Sequence, residues 1–286
     1  MASTINTNIP SMSAQRSLSS TQNSLATSMA RLSSGLRVNS AKDDAAGLAI
    51  AERMTSQVRG MNVAMRNAND GISMAQTAEG ALGKTGEILQ RMRELAVQAS
   101  NATNSDSDKD SLDSEFGELA KEVQRIFAST TFNGRKIIGE DAGPQIFQVG
   151  ANTSAENQIT VTTTDMTAET LLTDVAGDDT LGTNRAEITG NSAAVLLVID
   201  DIDEAINKVS SERSVLGASQ SRFESAISYL QISTENQAAA RSRIMDADFA
   251  IETSNLSRSQ ILSQAGSAML AQANQLPQSV LSLLRG

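Results

Sequence analysis

Two carboxylate clusters are the best candidates for chemistry in this 286-residue sequence. Asp106-Ser107-Asp108-Lys109-Asp110 sets oxygens at the first, third and fifth positions of an EF-hand calcium loop. The sixth position is Ser111 rather than Gly, and the twelfth is Gly117 rather than Glu. A helix start is the better account, because acids there face exposed amides. Asp200-Asp201 and Asp203-Glu204 could bind a metal or move protons, but they flank a heptad stripe, where a solvated helix face is the ordinary role. Cys and His are absent, which excludes disulfides, thiol nucleophiles, zinc ligation by those residues and histidine acid–base work. No glycine-rich phosphate loop follows a strand. The basic residues are scattered and not interleaved with aromatics, which speaks against nucleic acid. Asn101-Ala102-Thr103 and Asn152-Thr153-Ser154 match an N-glycosylation pattern by letter only. The expectation is therefore no enzyme, no cofactor and no metal.

The elements around these clusters are mostly helical. Only three prolines occur, at Pro10, Pro144 and Pro277, so long stretches are free to run as helix. A seven-residue ladder runs through Met54, Met61, Ala68, Ala75, Leu82, Leu89 and Ala96, with Val58, Met65 and Ile72 beside it. Polar Ser100–Ser107 interrupts it, and a second helix follows with Leu112, Phe116, Leu119, Val123 and Phe127. Phe132-Asn133-Gly134 reads as a turn; Gln145–Val149 and Ile159–Thr164 read as strands of a small hairpin region between about 137 and 165. Residues 166–192 read as an acidic surface loop with at most one short helical turn. Heptads then resume at Ile202, Val209, Leu216, Phe223 and Leu230, with Ile199, Ile206 and Ile227 as companions. The fold class is mainly α: a long antiparallel helical coiled-coil bundle built from both chain ends, with a small β-hairpin region in the middle.

Both chain ends carry apolar stripes, Leu18, Leu25 and Leu32 at one and Leu262, Met269, Leu276 and Leu283 at the other. Periodicity alone allows them to fold back on the bundle or to bury their stripes against copies of the same chain. Charge favours the copies. Residues 1–30 hold one charge, Arg16, and residues 254–286 hold Arg258 and Arg285. In a homopolymer every fixed charge repeats beside itself, so sparse charge permits crowding. The formal net charge of −10 sits in the middle: between Gly139 and Ile206 there are 13 acidic residues and one basic residue, Arg185. Met1–Pro10 has no apolar h-region, and the clean apolar run Ala193–Ile199 is too short to span a membrane. Taken alone, these features point to a cytosolic protein with no membrane insertion.

Two long motifs add a resemblance. Arg31-Leu32-Ser33-Ser34-Gly35-Leu36-Arg37-Val38-Asn39-Ser40-Ala41-Lys42-Asp43-Asp44-Ala45-Ala46-Gly47-Leu48-Ala49-Ile50 resembles the amino-terminal signature of bacterial flagellins. Ser242–Ala250, Ala265–Ala273 and Leu281–Leu284 resemble their carboxy-terminal region, and Phe132–Gly134 with Phe147–Asn152 resembles their hairpin landmarks. The resemblance implies a short flagellin without large outer variable domains, a subunit of the filament used for swimming. It implies an inner filament domain from residues 1–33 and 254–286, with spokes at 34–46 and 247–253. Residues 47–246 would form an outer helical bundle, including the hairpin and acidic loop at 138–190. The implied partners are other copies of the chain, hook-associated junction and cap proteins, a flagellin export chaperone and the type III export apparatus. Export without a cleaved signal replaces the cytosolic reading with a secreted, extracellular one. The nearest rivals are a minor flagellin or hook–filament junction protein, and an injectisome component, which explains the heptads but not Ser33–Ile50.

The resemblance also implies a secondary role as a ligand of host Toll-like receptor 5. Gln90–Gln98 resembles the family's receptor-contacting segment, with Met92 where Val or Ile is commoner. Arg91, Leu95 and Glu115 are the residues it assigns to that contact. From the residues alone, Arg91 and Glu115 are equally ordinary surface charges and Leu95 ordinary packing.

Overall fold

The computed structural model describes the backbone of residues 7–285 and the side chains of residues 7–275. In chain order the elements are α1 (Ile9–Ser34), α2 (Ala45–Ala99), α3 (Asp106–Ser129), β1 (Thr131–Phe132), β2 (Arg135–Lys136), β3 (Pro144–Gln148), a 3-10 turn at Ala155–Asn157, β4 (Gln158–Thr162), α4 (Thr170–Ala176), α5 (Ser192–Met245) and α6 (Phe249–Arg285). The chain divides into two compact units, residues 57–234 and a unit made of both chain ends, 1–56 with 235–286. Long terminal helices contact each other, and a small β region lies in the middle of the chain.

The 57–234 unit is built on its heptad ladders. Met61, Ala68, Ala75, Leu82, Leu89 and Ala96 of α2 are all buried, as are Ile202, Val209, Leu216, Phe223 and Leu230 of α5. The two helices run antiparallel, with Gly86 beside Val209 and Arg93 holding Asp203 at 2.6 and 3.1 Å. Small residues set their separation. A methyl group built on Gly71 would fall 2.6 Å from Phe223 Cζ, so only glycine lets the ring lie against the helix. Phe116 and Phe127 of α3 and Phe223 are fully buried, and Phe147 of β3 meets Phe223 edge-to-face at 5.4 Å. Five of the six phenylalanines, Phe132 among them, thus gather at one core, while Phe249 and Tyr229 face water. Helix α3 starts where the acids suggested: Ser105 caps it, its hydroxyl accepting from the Asp108 amide, while the Asp108 carboxylate accepts from the Ser105 amide. Both residues of the β1–β2 turn, Asn133 and Gly134, have positive φ, as a two-residue hairpin turn of this type requires. Strands β3 and β4 pair antiparallel from Pro144–Thr162 to Gln148–Gln158, inside the expected range.

Residues 166–192 correct the reading as a surface loop. Met166, Leu172, Val175, Ala176 and Ile188 are buried, and α4 packs on α3. Composition concealed this because the one apolar run, Leu171–Ala176, is short and set in acidic, polar sequence. One side chain fastens the segment. Arg185 donates to both oxygens of Asp113 (3.0 and 2.5 Å) and to the Ala186 carbonyl (2.7 Å), with its guanidinium 5.9 Å from the centre of the Phe116 ring. The Ile188 amide also donates to Asp113 (3.0 Å). Gly117 makes room, since a methyl there would come 2.9 Å from Arg185 Nε. Burial pushes the Asp113 carboxyl upward, but Arg185 and the Ile188 amide outweigh it and hold it below the ordinary value.

In the other unit the long amino-terminal motif resolves into caps. Gly35, at φ 71°, ends α1 in the left-handed conformation, its amide bonding to the Arg31 carbonyl (2.8 Å). Asp43 accepts from the amides of Asn39 and Ser40 and from the Ser40 hydroxyl, which hold its pKa down. Asp44 receives the Gly47 amide at the start of α2 (2.8 Å). The carboxy-terminal motif supplies the matching crossover: Leu36 bridges to Asp246, Arg37 donates to the Met245 carbonyl, and Ala247 donates to the Gly35 carbonyl. Asp248 then caps α6 through the amides of Ala250 and Ile251.

Candidate assembly surfaces

Helices α1 and α6 pair antiparallel, and their seam combines buried small and polar side chains with half-buried leucines. At seven-residue intervals α6 places Glu252, Ser259, Gly266 and Ala273 against α1, where Ser11 and Ser28 are buried. Leu256, Ser263 and Leu270 flank them, half-buried. Leu18, Leu25 and Leu32 of α1 are likewise half-buried, and Leu18 Cδ1 lies over Gly266, 3.3 Å from where a methyl would stand. At one end Asn8 donates to the Ala273 carbonyl (2.9 Å) and Ser11 to the Asn274 side chain (2.8 Å). At the other, Arg31 pairs with buried Glu252 at 3.5 Å. Of the remaining charges on the described parts of these helices, Arg16 and Arg258 are exposed.

The apolar stripe expected on α6 falls outside this seam. Leu262 is 51% exposed and Met269 64% exposed, with Ile251 and Ile261 exposed as well. On α1, Met12 and Met29 face water. Leu262 and Met269 instead wall a shallow groove with Ala14, Leu18, Ala265 and Gly266. Leu276 and Leu283 lie outside the residues whose side chains are described. The inward heptad was missed because it is written in Ser, Gly and Ala, which a search for large apolar residues passes over. The Arg31–Glu252 pair was missed because its members lie 221 residues apart in the chain.

On the 57–234 unit, Arg91 and Glu115 meet. Arg91 Nε and Nη2 donate to Glu115 Oε1 at 3.1 and 2.8 Å, and Nη1 donates to Glu94 at 3.0 Å. Both ends of the cross-helix pair are about half exposed. Leu95 is not on that surface. It is 1% exposed and packs in the core with Met92 and Ala96, one helical turn along from Arg91 but rotated inward. The acids at 200–204 are likewise absorbed into the bundle's surface: Asp203 is held by Arg93, while burial and then Asp174, Glu204 and Asp200 push Asp201 upward. Among the described residues no acidic group has the arrangement of a metal site, and no helix is long and apolar enough to cross a membrane.

Known proteins share this arrangement along nearly the whole chain. The bacterial flagellin N-terminal helical region matches residues 5–141, and the bacterial flagellin C-terminal helical region matches residues 199–284. The flagellin of Halalkalibacterium halodurans is 47% identical over 281 residues, covering 98% of this chain and 99% of its own. The chain belongs to the bacterial flagellins. Bacillus subtilis flagellin is 45% identical over 317 residues (98% of this chain, 99% of that one), and Vibrio cholerae flagellin A is 37% identical over 379 residues, covering both chains in full. The longer span needed for the Vibrio protein reflects additional sequence that this flagellin lacks. It is the short type, without a large outer variable domain, and a self-assembling structural subunit of the extracellular flagellar filament. Its paired terminal helices and small β region are the architecture the motifs implied.

Proposed function

We propose that this flagellin polymerises through the outward apolar stripes of its two end helices. The observation that carries the reading is the exposure of Leu262 and Met269 on a helix almost without charge. Apolar side chains at this spacing gain from burial, and the sparse charge of α1 and α6 leaves little to repel a copy. Leu18 walls the same groove, and Leu25 and Leu32 farther along α1 keep part of their surface free; Leu276 and Leu283 extend the stripe by sequence. In the filament, residues 1–33 and 254–286 form the inner domain around an export channel, 34–46 and 247–253 the spokes, and 47–246 the outer bundle. The acidic 138–190 region then faces water. Export runs through the type III apparatus with a flagellin chaperone, and the filament meets hook-associated junction and cap proteins at its ends. Electron microscopy of seeded wild-type protein and of a chain lacking residues 262–286 tests the reading. Wild-type filaments and none from the truncated chain are expected; normal filaments from the truncated chain overturn it.

The secondary role is host recognition by Toll-like receptor 5 through the Arg91–Glu115 edge. The support is an exposed, preformed charge pair bridging two helices, with Leu95 beneath holding α2 in the core rather than touching the receptor. Monomers carrying Arg91→Ala and Glu115→Ala should lose most stimulation of receptor reporter cells while unfolding at the wild-type midpoint. Undiminished stimulation sinks the assignment.

A further inference from the structure

Methionine is unevenly exposed in this protein. Met61, Met74, Met92 and Met166, all in the 57–234 unit, are at most 5% exposed. Met54, Met65 and Met245 are half-buried. Among the described residues the three exposed methionines are Met12, Met29 and Met269, at 54, 54 and 64%, and all three lie on α1 or α6. We propose that Met12, Met29 and Met269 are oxidation sites through which peroxide-class oxidants block polymerisation of the free subunit, and which the filament itself shields.

The chemistry follows from exposure and bond type. A thioether lone pair attacks one oxygen of hydrogen peroxide and the O–O bond breaks. The sulfur, oxidised by two electrons, becomes a sulfoxide, and the other oxygen leaves as water after taking up the proton of the transferred hydroxyl. Cysteine, the usual competitor for peroxide, is absent from the chain. A sulfoxide turns a flexible apolar side chain into a polar one, which leaves a solvated helix face intact but opposes dry burial against a copy. The buried methionines of the other unit are screened by its core, so oxidation of a monomer should touch assembly and spare the fold. Met269 is the most exposed of the three and stands one heptad from Leu262 on the proposed stripe. The inference rests on the assembly reading above, but its test separates the two.

The experiment maps sulfoxides by peptide mass spectrometry after dilute hydrogen peroxide treatment of wild-type monomers and, separately, of preformed filaments. Met12, Met29 and Met269 should oxidise first in the monomer and much more slowly in the filament. Oxidised monomers should retain the wild-type unfolding curve and polymerise with a critical concentration raised about tenfold or more, the factor expected from losing one buried methionine contact. A second arm uses the volume-conserving triple variant Met12→Leu/Met29→Leu/Met269→Leu, which should assemble after peroxide as before it. If untreated wild type forms no filaments, both readings fail. If filaments form but these methionines oxidise equally fast in monomer and filament, or if the triple leucine variant loses assembly on peroxide as wild type does, the oxidation inference alone is overturned.

Discussion

The core of residues 57–234 and the seam between α1 and α6 use one heptad grammar with different vocabularies. In the core the inward positions are Ala interleaved with Leu, Ile, Met, Val and Phe, and the large side chains end buried. In the seam the inward positions of α6 are Ser, Gly, Ala and a single Glu, the leucines beside them are only half-buried, and Leu262 and Met269 look outward. The first arrangement buries apolar area within one chain; the second keeps two helices close together yet leaves apolar area unspent on the surface. A helix pair whose seam leucines are only half-buried gains less from its own packing than the core does, so cover on its outer faces adds to the stability of the ends. Under the assembly proposed above, copies of the chain supply that cover.

The sharpest way to break this contrast is to damage the core. Phe223→Ala removes the ring that lies on Gly71 and meets Phe147, and should cost about 3–5 kcal/mol in denaturant unfolding followed by circular dichroism. A loss near zero would mean that the core is not where the subunit's stability resides. Next comes the clamp on the acidic segment. Asp113→Ala strands Arg185 over Phe116 and should cost about 3 kcal/mol. Because the folded Asp113 pKa is depressed, its stabilisation is complete above the ordinary value of 3.8 and disappears as pH falls through the folded value. Wild type should therefore lose stability with acid more steeply there than Asp113→Ala; parallel pH profiles would contradict the assignment.

A smaller effect is expected in the seam. Gly266→Leu drives a side chain into Leu18 and should destabilise the α1–α6 pair by about 1–3 kcal/mol, read as faster amide exchange in both helices. Exchange unchanged from wild type would mean the seam is loose enough to absorb a large residue. The smallest effect belongs to the surface. Glu115→Ala removes a half-exposed ion pair and should leave the unfolding midpoint where it is. A clear drop would make the Arg91 edge part of the core's support instead of a face for a partner.

What the sequence disclosed follows the same division. The core ladders could be read directly, because buried leucines and isoleucines at seven-residue spacing carry a strong signal. The α3 cap and the Asn133-Gly134 turn were equally plain, since both depend on local chemistry. Residues 166–192 were not legible: the apolar run Leu171, Leu172, Val175 and Ala176 is short, Ile188 stands apart from it, and the pairing of Arg185 with Asp113 that fastens the segment spans 72 residues. The α6 seam was hidden by its small residues, so the stripe chosen from Leu262 and Met269 turned out to be the outward one. Of the two readings open for Leu95, its burial fits packing, since the helical turn that separates it from Arg91 also rotates it toward the core.

The most direct measurement uses the full chain carrying Leu262→Gln and Met269→Gln. Seeded polymerisation is followed by sedimentation and electron microscopy, and unfolding of the same preparation by circular dichroism. The expected result is loss of filaments with the unfolding of the 57–234 core unchanged, because both residues are solvent-facing in the single subunit. Filaments of normal length and yield from the double variant would contradict the assignment of the outward face of α6 to assembly.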